Sequence, residues 1–158
     1  MHKNSIEIPN YKTLTLTHIV LDYNGTIAKD GVLKEEVKQI LPKLTQKYSV
    51  HVITADTFGS VQKELENFDV YVHVLQSSQH TLEKAEYIQN LNAKECVAIG
   101  NGANDTKMLQ TAEISIAILG EEGCSFQTLQ ASKIVCKEIG DALELFLNEK
   151  RLIATLRV

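Results

Sequence analysis

His18-Ile19-Val20-Leu21-Asp22-Tyr23-Asn24-Gly25-Thr26 decides how the rest of the chain is read. Four residues of strand character run without a break into a carboxylate, an amide, a glycine and a hydroxyl. A short apolar run that stops abruptly in polar and turn-forming residues is a buried strand ending in a loop. Upstream, Thr13, Thr15 and Thr17 alternate with Leu14 and Leu16, the period of a half-exposed strand. Ser5 to Ile8 and the turn signal Pro9-Asn10 complete an expected N-terminal β-hairpin that leads into the buried strand.

Downstream, apolar runs alternate with helical periodicity. A helix is expected over 34–47, with Val37, Ile40, Leu41 and Leu44 on one face. Pro42 conflicts with it, so a kink or a late start is expected. Strand 49–54, helix 60–68, strand 70–75, helix 81–91, strand 96–99, helix 105–112 and strand 114–119 follow. A short helix near Phe126 and Leu129, a strand 133–136 and a helix 141–147 complete the series. Strands that alternate with helices imply right-handed βαβ units and a mainly parallel sheet. The connections are short and there is no repeat, so residues 1–158 are expected to form a single α/β domain, a Rossmann-like three-layer sandwich.

Bulk properties narrow the function. The 158 residues carry 16 Lys and Arg against 20 Asp and Glu, a mildly acidic balance with no basic block. That argues against a nucleic-acid footprint. No apolar run has the length of a membrane span, and Met1 to Pro9 lack a secretory apolar stretch. A cytoplasmic location without membrane association is expected. Cys96, Cys124 and Cys136 show neither disulfide nor zinc spacing and read as small hydrophobes. His18, His51 and His73 sit in strand-like runs and need no ligand role.

In such sheets ligands bind at the carboxyl ends of strands, where the strand order switches. Three polar clusters fall at expected strand ends: Asp22-Tyr23-Asn24, Thr54-Ala55-Asp56 and Gly100-Asn101-Gly102-Ala103-Asn104-Asp105. Singly each has a plain explanation. Asp22 and Asn24 serve as turn residues, Thr54 as a cap, Lys84 as a solvated lysine, and Gly-Asn-Gly as loop chemistry. Together they offer a nucleophilic carboxylate (Asp22), a glycine permitting close approach (Gly25), a hydroxyl (Thr54), a cation (Lys84) and oxygen donors (Asn101, Asn104, Asp105). That set suits attack on phosphorus through an aspartyl phosphate. Mg²⁺, a hard ion that prefers oxygen, would suit the last group.

The order of these groups resembles the haloacid dehalogenase superfamily, whose members carry Asp-x-Asp-Gly-Thr, then Ser or Thr, then Lys, then a Gly-Asp-Gly-x-x-Asp type of loop. Its small soluble P-type ATPase-like proteins are the most similar group. The resemblance spans most of the chain. It implies catalytic roles for Asp22, Thr54 and Lys84. Phosphate would be bound by Asn24, Gly25, Thr54, Ala55, Lys84 and Asn104, and Mg²⁺ by Asp22, the carbonyl of Asn24, Asn101 and Asp105. Two positions depart from the pattern. Asn24 stands where phosphatases of this kind hold an acid–base Asp, and positioned acid–base catalysis is worth on the order of 10²–10⁴-fold. Asn101 stands where a charged metal ligand is usual. The resemblance therefore implies a Mg²⁺-dependent phosphatase or phosphotransferase, slow in turnover, acting on phosphorylated substrates with good leaving groups. The alternative is a non-catalytic phosphate-binding or phosphorylatable regulatory module.

Residues 26–34 leave room only for a small flap and 55–83 only for a helix and a strand, so no cap domain is expected. Asp56 is a candidate substitute acid, two residues past Thr54. The C-terminal run Lys150 to Val158 mixes cations with apolar residues. It either docks on the core or contributes to a homo-oligomer contact.

Overall fold

The computed structural model describes residues 3–158; Met1 and His2, where the expected domain begins, lie outside the described residues. Strand β1 (Asn4–Ile8) pairs antiparallel with β2 (Lys12–Leu16). The turn between them places Asn10 at φ 57°, a conformation that Asn tolerates better than most residues. Ile6, Ile8, Leu14 and Leu16 face inward while the threonines face out, as the period of two requires.

The chain then enters β3 (His18–Asp22). A small flap follows, made of β4 (Ala28–Lys29) and β5 (Val32–Leu33), and then α1 (Glu35–Leu44). Next come β6 (Ser49–Thr54), α2 (Ser60–Leu65), β7 (Val70–Val74), α3 (His80–Asn90) and β8 (Cys96–Gly100). A 3₁₀ turn at Ala103–Asp105 leads into α4 (Thr106–Thr111). The chain closes with β9 (Ile114–Ile118), α5 (Phe126–Ala131), β10 (Ile134–Cys136), α6 (Ile139–Glu144) and α7 (Glu149–Leu156).

Six strands form one sheet in the order β10-β9-β8-β3-β6-β7, every pairing parallel. The chain leaves β3 toward β6 and β7, then returns to the opposite side at β8. The strand order therefore reverses at β3, and the end of β3 is where a ligand crevice opens. Alternation along β3 divides the core. Ile19 and Leu21 pack with Val37, Leu41 and Leu143 on one face, and Val20 packs with Ile88, Met108 and Leu109 on the other. Helices on both faces make the three-layer arrangement expected from the sequence, with the N-terminal hairpin beside it.

Several boundaries differ from expectation, for local reasons. Pro42 does not delay the start of α1 at Glu35; it lies in the last turn, and the helix ends at Leu44. The helix expected from Asp105 is preceded by a 3₁₀ turn that contains Asp105. The last α/β helix sits at 139–144 rather than 141–147. The C-terminal run forms α7, whose Leu152 is fully buried. The Val158 N–H donates to the Pro9 carbonyl and the Asn10 amide to the Val158 carbonyl. The segment is therefore docked on the hairpin. Among the described residues no helix is long and apolar enough to cross a membrane.

Under α3 the His51 ring lies 3.0 Å from His18 and 2.7 Å from the Tyr87 hydroxyl, and it stacks on Tyr71. Burial, with His18 alongside, lowers the His51 pKa to about 4. His51 bridges sheet and helix as a neutral ring.

Candidate active site

The crevice at the carboxyl end of β3 is assembled by three strand ends in register. Asp22 pairs across from Ile53, one residue before Thr54, and Leu21 pairs with Ile99, one residue before Gly100. Clusters far apart in sequence thus meet within one strand spacing. A cavity of about 240 Å³ lies there, and Asp22, Asn24, Thr54, Ala55, Lys84, Asn101 and Asn104 line it. Two lining residues were missed. Leu75 follows β7 and is held by its N–H to the Thr54 carbonyl at 2.8 Å; Gly102 was quoted in its motif without a role. Only the order of strands places them there.

Lys84 is the hub. It projects from α3 with its side chain 3% exposed. Its Nζ donates to Asp22 Oδ1 at 2.9 Å, Asp105 Oδ1 at 2.8 Å and Asn104 Oδ1 at 3.1 Å. Three donors meet three acceptors, the full capacity of an ammonium group. Burial acts to lower its pKa, but the charges of Asp22 and Asp105 outweigh it and hold the group above the usual lysine value. Lys84 is therefore charged at every pH of interest, not a solvated surface lysine.

Asp22 carries the opposite imbalance. Burial, and then the neighbouring Asp105 charge, raise its pKa to about 7 against the pull of Lys84 and Thr26. Two carboxylates share one ammonium, so the cluster is short of positive charge. A bound cation would relieve that shortage.

Asp105 is fully buried and does not line the cavity. Its Oδ2 accepts the N–H groups of Asn101 and Gly102, both at 3.0 Å, while Oδ1 takes Lys84. It anchors the loop and orients Lys84. Asn101 is nine-tenths buried; its Nδ2 donates to the Gly123 carbonyl at 3.0 Å, which turns Oδ1 toward Thr26. The Thr26 hydroxyl shares its one proton between Asp22 Oδ2 at 3.1 Å and Asn101 Oδ1 at 3.2 Å. This residue too was quoted in its motif without a role. Gly25 does not line the cavity but lies behind it at φ +79°; a Cβ there would stand 2.5 Å from Asn101 Nδ2. Backbone angle and close approach each demand glycine.

Thr54 Oγ1 accepts the Asp56 N–H at 3.0 Å, which leaves its proton for a ligand. Asp56 is otherwise engaged. Its carboxylate accepts the Phe58 and Val61 N–H groups and the Ser60 hydroxyl, bonds that lower its pKa. It caps the turn into α2. Asn24 is exposed at the mouth of the cavity.

The oxygens of Asp22 and Asn101 converge on one hydroxyl, and the donor set is hard and oxygen-only. It fits a Mg²⁺ held partly by water, with fewer charged ligands than such an ion usually enjoys. Among the described residues no group of three His, Cys, Asp or Glu side chains is placed to hold a metal.

Comparison with known proteins bears on the fold and on one segment of the chain. The family of haloacid dehalogenase-like hydrolases matches residues 77–121, the segment holding Lys84, Asn101 and Asp105. A protein of Methanocaldococcus jannaschii is 50% identical over 64 residues, 40% of this chain and 69% of that one. The cadmium, zinc and cobalt-transporting ATPase of Bacillus subtilis is 25% identical over 97% of this chain, which spans only 23% of the ATPase. The 3-deoxy-D-manno-octulosonate 8-phosphate phosphatase of Moraxella catarrhalis, solved with magnesium and phosphate, superposes with a TM-score of 0.70 at 17% identity. It covers 90% of this chain and 94% of its own. The cobalt-bound phosphatase of Haemophilus influenzae gives 0.71 at 8% identity, over 90% and 94% of the two chains. Residues 77–121 carry the signature of the haloacid dehalogenase-like hydrolases, the chain shares its fold with the two phosphatases, and its described residues include no cap domain.

Proposed function

We propose that the protein is a Mg²⁺-dependent phosphatase or phosphotransferase that works through a phosphorylated Asp22. The observation that carries this reading is the buried Lys84 ammonium, 2.9 Å from a carboxylate oxygen of Asp22, a residue that lines the cavity. A carboxylate oxygen of Asp22 attacks phosphorus; the bond to the leaving group breaks and its electron pair departs with the leaving oxygen. Lys84 and the Thr54 hydroxyl stabilise charge on the equatorial oxygens. Mg²⁺, held by Asp22, the Asn24 carbonyl and Asn101, would supply further neutralisation. Asp105 positions Lys84 and the Asn101 backbone.

Water must then attack the aspartyl phosphate. An amide at Asn24 neither protonates the leaving oxygen nor deprotonates that water. Loss of such a group is worth about 3–5 kcal/mol of barrier. Leaving groups that depart without a proton are therefore favoured, acyl phosphates and phosphoanhydrides over alkyl phosphates, and the phosphoenzyme is long-lived. Acetyl phosphate with Mg²⁺ tests this by phosphate release and intact-protein mass. Release that Asp22→Asn abolishes is expected. Faster turnover of alkyl phosphates than of acetyl phosphate would refute the leaving-group argument. A stable added phosphoryl without release would favour the regulatory module, a reading that Asn24 specifically supports.

A further inference from the structure

The two edges of the sheet are built differently. Strand β10 is three residues long and is bracketed by Lys133 and Lys137, cations that discourage another strand from pairing there. Strand β7, at the other edge, runs for five residues, Val70-Tyr71-Val72-His73-Val74, mostly β-branched or aromatic. Residues 64–83 contain no Lys, Arg or Pro. Every residue of β7 keeps some exposure, whereas all but the first residue of its neighbour β6 are buried.

The backbone groups on the outer side of β7 follow from its pairing with β6. The Leu75 N–H donates to the Thr54 carbonyl, so Tyr71, His73 and Leu75 turn their backbone groups toward β6. By alternation Val70, Val72 and Val74 turn theirs outward. Two of those outward groups are already satisfied. The Val70 N–H donates to the Phe68 carbonyl at 2.9 Å, and the Val74 carbonyl accepts the Gln76 side-chain amide at 3.0 Å. The Val70 carbonyl, both groups of Val72 and the Val74 N–H have no partner among the described residues.

The free groups complement themselves. With a second copy antiparallel about a two-fold axis at Val72, each Val72 exchanges both bonds with its counterpart. Each Val70 carbonyl then meets the Val74 N–H of the other copy. Every free group is used and neither satisfied one is needed, whereas a slip of two residues either way sets free groups against satisfied ones. The same register places Tyr71, 61% exposed, opposite His73 of the other copy, in the close position where aromatic cross-strand pairs interact. No Asp, Glu, Lys or Arg lies within two residues of the axis, so like charges do not meet there. The C-terminal run, the other candidate for a subunit contact, is already docked on the hairpin.

We propose that the protein self-associates through β7, two copies pairing antiparallel about Val72 into one continuous sheet. This is independent of the phosphatase reading. A pairing of five residues per copy is small beside a standard interface of roughly 800 Å² per partner, so the dimer should dissociate in the micromolar range.

Sedimentation velocity of the full chain, from micromolar to submillimolar, tests it, and a concentration-dependent monomer–dimer equilibrium is expected. Val72→Pro removes the donor at the axis but no bond to β6, because that N–H faces outward. Association should weaken by about 10–100-fold. Val135→Pro, the matching outward position on β10, should leave association unchanged, since Cys136 is the residue bonded to Leu119 of the neighbouring segment. Tyr71→Lys alters no backbone group and should also weaken the dimer; it decides the matter if Val72→Pro fails to fold. Mixed Tyr71→Cys and His73→Cys chains should form an intermolecular disulfide on mild oxidation that neither chain forms alone, which reads the register. A monomer at every concentration, a dimer that tolerates both Val72→Pro and Tyr71→Lys, equal weakening by Val135→Pro, or no mixed disulfide overturns the proposal.

Discussion

Replacing Lys84 by Met keeps the length of the side chain and removes its charge. Two carboxylates would then face each other in a site where Asp105 is fully buried and Asp22 nearly so. Removing one partner of a buried ion pair costs about 3–5 kcal/mol. Two features temper the loss. Asp105 Oδ2 keeps two backbone donors at 3.0 Å, and Asp22 Oδ2 keeps Thr26 at 3.1 Å. Asp22 can also take up a proton. Its folded pKa is already raised to about 7, far above its unfolded value, so the folded state binds more protons between about pH 4 and 7. Stability from this group is complete below the unfolded pKa and is lost as pH rises through the folded one. Without Lys84 the raised pKa climbs further. The expected penalty is therefore larger at pH 8 than at pH 6. At roughly 2–4 °C per kcal/mol for a chain of this size, the midpoint at pH 8 should fall by about 6–20 °C. Mg²⁺ should restore part of it by mass action. Thermal unfolding at both pH values, with and without Mg²⁺, provides the check. A midpoint within about 2 °C of wild type at pH 8, insensitive to Mg²⁺, would refute the view that Lys84 neutralises this cluster.

Asn24→Asp restores a proton donor at an exposed position, so hydrolysis of the phosphoenzyme should quicken by about 10²-fold or more with no stability cost; an unchanged rate in single-turnover phosphate release would count against Asn24 as the missing acid. Asn101→Asp should tighten Mg²⁺ binding in calorimetric titration. The same change removes the donor to the Gly123 carbonyl and should cost about 1–3 kcal/mol in the metal-free protein; urea unfolding that shows no such cost would contradict the role assigned to the amide. His51 stays neutral in the fold, at a pKa of about 4 against about 6.5 unfolded, so its contribution is present above the unfolded value and lost as pH falls toward 4. Wild type should lose about 3 kcal/mol more than His51→Leu between pH 7 and 4, and parallel urea-derived pH profiles would exclude this.

Much of the fold was legible because its determinants are local. Alternating leucines and threonines mark β2, and the unbroken run 18–21 marks a strand covered on both faces. Boundaries were less legible. The 3₁₀ turn around Asp105 depends on its carboxylate closing onto Asn101 and Gly102, a contact that periodicity does not report. The C-terminal helix was left open between docking and assembly, because eight residues of mixed character acquire a preference only from the surface they meet.

By itself the sequence determined the order of elements and the polar clusters at three strand ends, which follow from residue type and spacing; that two amides stand where acids are usual is what the family resemblance implies. The tertiary structure alone decided that Lys84 is buried between two carboxylates, that Asp105 supports the site from behind, and that Asp56 caps a turn. Each depends on β8 and β6 flanking β3. Burial, and with it the local dielectric and the effective charge of each group, is set by which strands become neighbours, and neighbours in the sheet are not neighbours in the chain.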